Sequence, residues 1–134
     1  MKLKRSLGQN FLTDSFFLEK IIQSSQIQKL DDVIEIGSGD GALTELILKK
    51  SNSLTAIEID PRFSEKLRKK HIDDNFQIHN KDFLKIDLND INFEDKVVMG
   101  NLPYNVSSQI IFRLLESGLK FRHCVFSVSY THLT

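Results

Sequence analysis

A β-branched run that stops on three alternating glycines leaves few options for the chain around it. Val33-Ile34-Glu35-Ile36 reads as a short strand, followed directly by Gly37-Ser38-Gly39-Asp40-Gly41. Residues 42–50 then have a helical period, with Leu43, Leu46 and Ile47 on one face. A strand that enters a helix through a glycine turn opens a βαβ unit, because glycine allows a tight turn and close backbone approach. The alternation continues. Residues 54–59 read as a second strand, and Pro61 suits the first turn of the helix after it. Residues 76–79 read as a third strand, with Asp82-Phe83-Leu84 as the loop beyond. Residues 96–99 read as a fourth strand that ends at Gly100-Asn101-Leu102-Pro103-Tyr104. Ser107 or Ser108 is expected to open a helix carrying Ile110, Ile111, Leu114 and Leu115, and residues 123–126 a fifth strand. Before the first strand, Asp14 or Ser15 is expected to cap a helix with Phe17, Leu18, Ile21 and Ile22 on one face. Strands separated by helical patterns mean right-handed crossovers and a parallel sheet covered on both faces. The expected fold is α/β, a doubly wound parallel sheet.

The 134 residues suit one domain, and 40% hydrophobic with 27% charged residues is a globular balance. Lys+Arg and Asp+Glu both number 18, so net charge points to no nucleic-acid partner. Cys124 stands alone, which excludes an internal disulfide and a thiolate-rich zinc site, and it reads as a small core residue. His71, His79, His123 and His132 show no metal-ligand spacing and read as surface or strand-end residues; no metal is expected. No apolar stretch reaches the roughly 18 residues of a membrane span, and no signal-type core follows the basic start, so a cytoplasmic protein is expected.

Open parallel sheets bind ligands beyond the carboxyl ends of their strands, where strand order reverses. Gly37, Gly39 and Gly41 follow the first strand and allow close approach of a ligand. Glu58, at the end of the second, offers a carboxylate for both hydroxyls of a ribose. Asp82, after the third, can accept from an exocyclic amine such as adenine N6. Together they describe a pocket for an adenosine-containing cofactor. Taken singly, the glycine turn is equally a tight strand-to-helix connection, and with Ala42 it also fits a dinucleotide fingerprint. Asp40 opposes the dinucleotide, since it places negative charge where a pyrophosphate would sit.

The fourth strand end discriminates further. An adenine amino nitrogen is a poor nucleophile because its lone pair is delocalised into the ring. The Asn101 side-chain oxygen and the Leu102 or Pro103 carbonyl, presented by a rigid turn, could hold its two hydrogens and favour a tetrahedral nitrogen. Tyr104 could stack on a base drawn out of its helix. An ordinary turn into a helix is the plainer reading of these four residues in isolation.

Four ordered segments carry a resemblance: Leu7-Gly8-Gln9-Asn10-Phe11-Leu12, Glu35-Ile36-Gly37-Ser38-Gly39-Asp40-Gly41-Ala42-Leu43-Thr44, Ala56-Ile57-Glu58-Ile59-Asp60 and Gly100-Asn101-Leu102-Pro103-Tyr104-Asn105. From residue 4 to about 126 the chain resembles the ribosomal RNA adenine N6,N6-dimethyltransferases. Leu102 and the Gly8-Gln9 pair lean toward the small-subunit, kasugamycin-resistance branch over the macrolide-resistance branch that acts on large-subunit RNA. The resemblance implies a Rossmann-like methyltransferase fold and S-adenosyl-L-methionine as cofactor. It implies cofactor contacts at Asn10, Leu12, Gly37, Gly39, Glu58, Asp82 and Asn101, and acceptor chemistry at Asn101, Pro103 and Tyr104. The implied reaction is dimethylation of two adjacent adenosines near the 3′ end of small-subunit ribosomal RNA. The implied partner is the assembling small subunit, met by a monomer with no membrane association. Phe11 reads equally as a packing residue of the arm.

The same family runs to roughly twice this length, with two more strands and a helical C-terminal domain that grips RNA. Residues 1–126 are therefore expected to form an incomplete cofactor-binding catalytic domain, truncated after about the fifth strand. Residues 127–134 do not resemble the family and are expected to be foreign. Two other readings follow from these features: a module that binds cofactor and RNA without catalysis, and a nicotinamide oxidoreductase, which would leave Asn101 to Tyr104 without a purpose. Arg68-Lys69-Lys70 reads as a solvated helix face before it reads as an RNA surface.

Overall fold

A computed structural model describes the backbone of residues 7–129 and the side chains of residues 15–129. Strands β1 (Asp32–Ile36), β2 (Ser53–Ile57), β3 (Phe76–His79), β4 (Val97–Pro103) and β5 (His123–Ser129) pair in parallel, in the order β3-β2-β1-β4-β5. Helices α1 (Leu7–Ser25), α2 (Ala42–Lys50), α3 (Pro61–Lys70) and α4 (Tyr104–Glu116) connect and cover them. A 3₁₀ turn at Leu88–Asp90 lies in the long β3–β4 connection.

Alternate residues of each central strand face opposite sides, and both sides are apolar, as a buried parallel sheet requires. Val33, Leu54, Val97 and Met99 pack with Ile21 and Ile22 of α1 and Leu43 and Ile47 of α2. Ala56 packs with Leu67 of α3 on that same face. Ile34, Ile36, Ile57 and Val98 face the other way, against Ile110 and Leu114 of α4 and the Phe83 and Phe93 rings. The sheet is doubly wound. Gly100 allows β4 to lie close to β1, since a Cβ there would stand 2.6 Å from the Ile36 carbonyl oxygen.

Several boundaries differ from those the sequence suggests. α1 begins at Leu7, so Asp14 and Ser15 lie inside it and do not cap it; nothing from Gln9 to Asp14 breaks a helix. β2 stops at Ile57, which leaves Glu58 and Ile59 beyond the strand end. β4 does not turn at Asn101. It stays extended to Pro103 because β5 pairs with it up to Pro103↔Ser129. β5 likewise continues past residue 126 to Ser129. α4 starts at Tyr104, earlier than either serine, and the Ser107 hydroxyl instead donates back to the Tyr104 carbonyl at 3.1 Å. Pro103, at φ −62° and ψ 144°, ends the strand and caps the helix. α3 follows the expected pattern, with Pro61 in its first turn and the Asp60 carboxylate accepting from the Arg62 amide at 2.8 Å.

Among the described residues, no helix is long and apolar enough to cross a membrane, and no three His, Cys, Asp or Glu side chains are grouped to hold a metal ion. Cys124 is half-buried at the edge of the α4-side core, and that burial pushes its thiol pKa up. His71 is not a surface residue. It ends α3 in a buried position and pairs through Nδ1 with Asp74 at 2.8 Å. His132 lies outside the described residues. The α3 basic run is an ion-paired face: Arg68 and Lys69 meet Glu65, and Lys70 meets Glu45.

Candidate active site

The order β3-β2-β1-β4-β5 places the chain reversal between β1 and β4, so the turn after β1 stands beside the end of β4. Gly37 and Gly39 take φ of +79° and +56°, in the left-handed region where a side chain would strain the backbone. The Gly37 amide is tied to the Ile57 carbonyl at 2.8 Å, which holds the turn against β2. Asp40 accepts from the Ala42 amide at 3.1 Å, at the start of α2.

A cleft of about 610 Å³ opens here, lined by Gly37, Gly39, Asp40, Asn101 and, from α1, Phe17 and Leu18. Asn101 is exposed, and its place in β4 gives it the same sheet face as Val97 and Met99, toward α1 and α2. The Leu102 carbonyl, one of the two expected acceptors, receives the Ser129 hydroxyl at 3.4 Å. Pro103 is exposed and Tyr104 is 45% exposed; both follow Asn101 outside the cleft lining. The sequence reading of a turn here is replaced by a strand that ends on a helix N-terminus.

Asp82 lies in a second cleft of about 630 Å³, with Ile59, His79, Asn80 and Lys85. Its carboxylate accepts from the Leu84 amide at 2.9 Å, and its carbonyl from the Lys85 and Ile86 amides. Glu58 links the two clefts. One carboxylate oxygen accepts from the Gly39 amide at 2.7 Å and the other from the Asp60 amide at 2.9 Å. Its own amide donates to the His79 carbonyl, and its carbonyl accepts from Asn80. The structure thus brings Gly37, Gly39 and Asn101 into one cleft, puts Asp82 in its neighbour and sets Glu58 between them. Asn10 and Leu12 fall in α1, but their side chains lie outside the described residues.

Two residues of this region are not evident from motif spacing. Glu35 is fully buried, yet it lines the first cleft. Thr44 and Ser38 donate to its Oε1 at 2.6 and 3.3 Å, while Oε2 has no partner. Burial pushes its pKa up to about 7, against the pull of those two hydrogen bonds and with help from the charges of Glu58 and Asp40. A charged residue inside a strand buried on both faces was the signal available. Arg113 of α4 reaches across to the Asp82 loop, donating to the Phe83 carbonyl and, at 2.6 Å, to the Ile86 carbonyl, with its guanidinium over the Phe83 ring. No spacing in the sequence marks that contact.

The family model for ribosomal RNA adenine dimethylase matches residues 1–131. The chain belongs to the ribosomal RNA adenine dimethylase family. Among curated relatives, the ribosomal RNA small subunit methyltransferase A of Mycoplasmopsis synoviae is 39% identical over 125 residues, covering 93% of this chain and 48% of the relative. The protein of the same name from Prosthecochloris aestuarii is 44% identical over 116 residues, covering 86% of this chain and 44% of the relative. The chain therefore spans about half the length of the curated relatives it matches. Among solved structures, a dimethyladenosine transferase from Plasmodium falciparum superposes with TM-score 0.71 at 30% identity, covering 84% of this chain and 40% of that one. The 23S rRNA methyltransferase ErmE superposes with TM-score 0.68 at 28% identity, covering 82% and 45%. The doubly wound sheet of this chain is thus the fold of known methyltransferases.

Proposed function

We propose that the protein transfers methyl groups from S-adenosylmethionine to N6 of two adjacent adenosines near the 3′ end of small-subunit ribosomal RNA. The observation that carries this reading is Asn101 lining the same cleft as Gly37 and Gly39, which sets an amide suited to an adenine amine beside a turn suited to a cofactor. The residues fit this cofactor better than a dinucleotide. Asp40 and the unpartnered oxygen of Glu35 favour a ligand with positive charge and oppose a pyrophosphate. When bound, the cofactor supplies a methyl on a sulfonium, whose bond to sulfur breaks as the bond to nitrogen forms.

In this reading Gly37 and Gly39 admit the amino-acid end, Glu58 holds the ribose hydroxyls with the acceptor capacity its two backbone bonds leave, and Asp82 takes the adenine amine. Asn10 and Leu12 close the pocket from α1. Asn101 and the Pro103 carbonyl orient the target amine, and Tyr104 stacks on the base. The proton leaves the nitrogen after it has become cationic, so no strong base is needed. Catalysis is then mostly positioning. Residues 1–126 supply the cofactor-binding unit, acting as a monomer on the assembling small subunit in the cytoplasm.

Relatives near 40% identity named as small-subunit enzymes support the choice of RNA, while the near-equal superposition on a 23S enzyme favours large-subunit RNA as the second reading. The two separate in one experiment. The protein is incubated with methyl-labelled S-adenosylmethionine and ribosomal subunits lacking N6-methylated adenines, and the RNA is digested and analysed by mass. Dimethyladenosine from small-subunit RNA is expected. Dimethyladenosine from large-subunit RNA would install the second reading, and label in protein or DNA alone would contradict both.

A further inference from the structure

Arg113 is a half-buried cation of α4, and among the described residues its guanidinium pairs with no carboxylate. It donates instead to the Phe83 carbonyl and, at 2.6 Å, to the Ile86 carbonyl, and it lies 5.7 Å from the centre of the Phe83 ring. Those two carbonyls belong to the turn that carries Asp82. Within that turn the Asp82 carboxylate accepts from the Leu84 amide at 2.9 Å, and the Asp82 carbonyl accepts from the Lys85 and Ile86 amides at 2.9 and 3.1 Å. The Phe83 side chain is buried in the α4-side core. The turn is thus held by its own short bonds, by one anchored ring and by one side chain from a different element. A guanidinium suits that task, because its planar fork reaches two carbonyls at once where an ammonium is a single point.

We propose that Arg113 is a positioning residue for base selection: by holding the 82–86 turn it sets the Asp82 carboxylate where the protein can tell an amine on the cofactor's base from an oxygen in the same place. The inference rests on Asp82 as the contact to the adenine amine of S-adenosylmethionine and adds to that reading a residue of α4. Arg113 does not line the second cleft, whereas Asp82, Lys85 and Ile86 do, so its effect passes through the turn. Without it, two carbonyls lose charge-assisted donors and the turn keeps only its own bonds. A hydrogen bond weakens steeply as its angle opens, so a displaced carboxylate loses its preference for the amine. Apolar contact with Ile59 and Ile91, which line the same cleft, does not depend on which group the base carries there. Selectivity and general affinity therefore separate at this residue.

Titration with S-adenosylhomocysteine and with S-inosylhomocysteine, whose base carries an oxygen in place of the adenine amine, reads that separation. The native protein should bind the adenine ligand about 10- to 100-fold more tightly, the scale of a hydrogen bond to a charged group. Arg113→Ala should bind S-adenosylhomocysteine about tenfold more weakly and S-inosylhomocysteine about as the native protein does, so the preference shrinks by about tenfold. Arg113→Lys keeps the charge without the fork and should recover only part of the preference. A merely structural role weakens both ligands alike. Equal losses for the two ligands, or an undiminished preference in Arg113→Ala, would overturn the proposal. If that variant fails to fold, Arg113→Lys decides: an intermediate preference supports the proposal and a native one overturns it. If the native protein itself binds the two ligands equally, or neither, the reading of Asp82 as the adenine contact falls, and the proposal with it.

Discussion

The Glu58 carboxylate spends one oxygen on the Gly39 amide and the other on the Asp60 amide, so it shapes the turn beside which the proposed ribose would lie. Glu58→Ala should therefore weaken S-adenosylmethionine binding by about 30- to 1000-fold, the equivalent of about 2–4 kcal/mol for losing a buried, charge-assisted pair. Titration calorimetry checks this, and an unchanged affinity would remove Glu58 from the pocket. Glu35 makes a separate prediction about the empty protein. Its carboxyl goes from an ordinary 4.5 to about 7 on folding, so the folded state holds the proton more tightly than the unfolded state. Stability is then fully present below pH 4.5 and is lost as pH rises toward 7, by on the order of 3 kcal/mol. Urea melts of the native protein and Glu35→Gln should diverge over that window, and parallel pH profiles would contradict the assignment. The places of Gly37 and Gly39 in the turn and of Glu58 beyond β2 were legible because they depend on residue type at a strand end. The unpaired, buried Oε2 of Glu35 was not, because it depends on which oxygen Thr44 and Ser38 happen to satisfy.

At the scale of elements, α2 and β3 were legible to the residue, since the glycine turn precedes α2, Ser51-Asn52 follows it, and the polar runs Asp73-Asp74-Asn75 and Asn80-Lys81-Asp82 flank β3. The end of β4 was not. Asn101-Leu102-Pro103 has turn composition, and only pairing with β5 keeps it extended, a partner more than twenty residues away in the chain. α4 gains its early start from the same cause. Its Arg113 ties it to the 82–86 turn through the Phe83 and Ile86 carbonyls, so the helix that begins beside Asn101 also braces the loop that carries Asp82. Arg113→Ala should free that turn. Hydrogen exchange at the Lys85 and Ile86 amides, both bonded to the Asp82 carbonyl, should quicken by about tenfold or more, the scale of a lost hydrogen bond to a charged group. The β1 amides should keep their protection. Equal exchange in both proteins would show that the loop holds itself.

At the scale of the whole molecule, strand order makes the site. Reversal between β1 and β4 puts the Gly37–Gly41 turn and the Asn101 amide in one cleft, although they stand far apart in sequence. Alternating strand and helix patterns made the parallel sheet legible. The separation of Asp82 into a neighbouring cleft was not, because it depends on how the β3–β4 connection packs Phe83 and Phe93 under α4. In the proposed reaction Asn101 acts on the target amine in the transition state. Single-turnover methylation by Asn101→Ala, with S-adenosylmethionine and RNA both saturating, tests it most directly, alongside separate binding titrations. Turnover should fall about 10²-fold or more, with a smaller loss of cofactor affinity and nearly unchanged RNA affinity, as for one deleted transition-state contact. Turnover near that of the native protein would make Asn101 an ordinary strand-end residue, and a joint collapse of turnover and both affinities would make it a structural one.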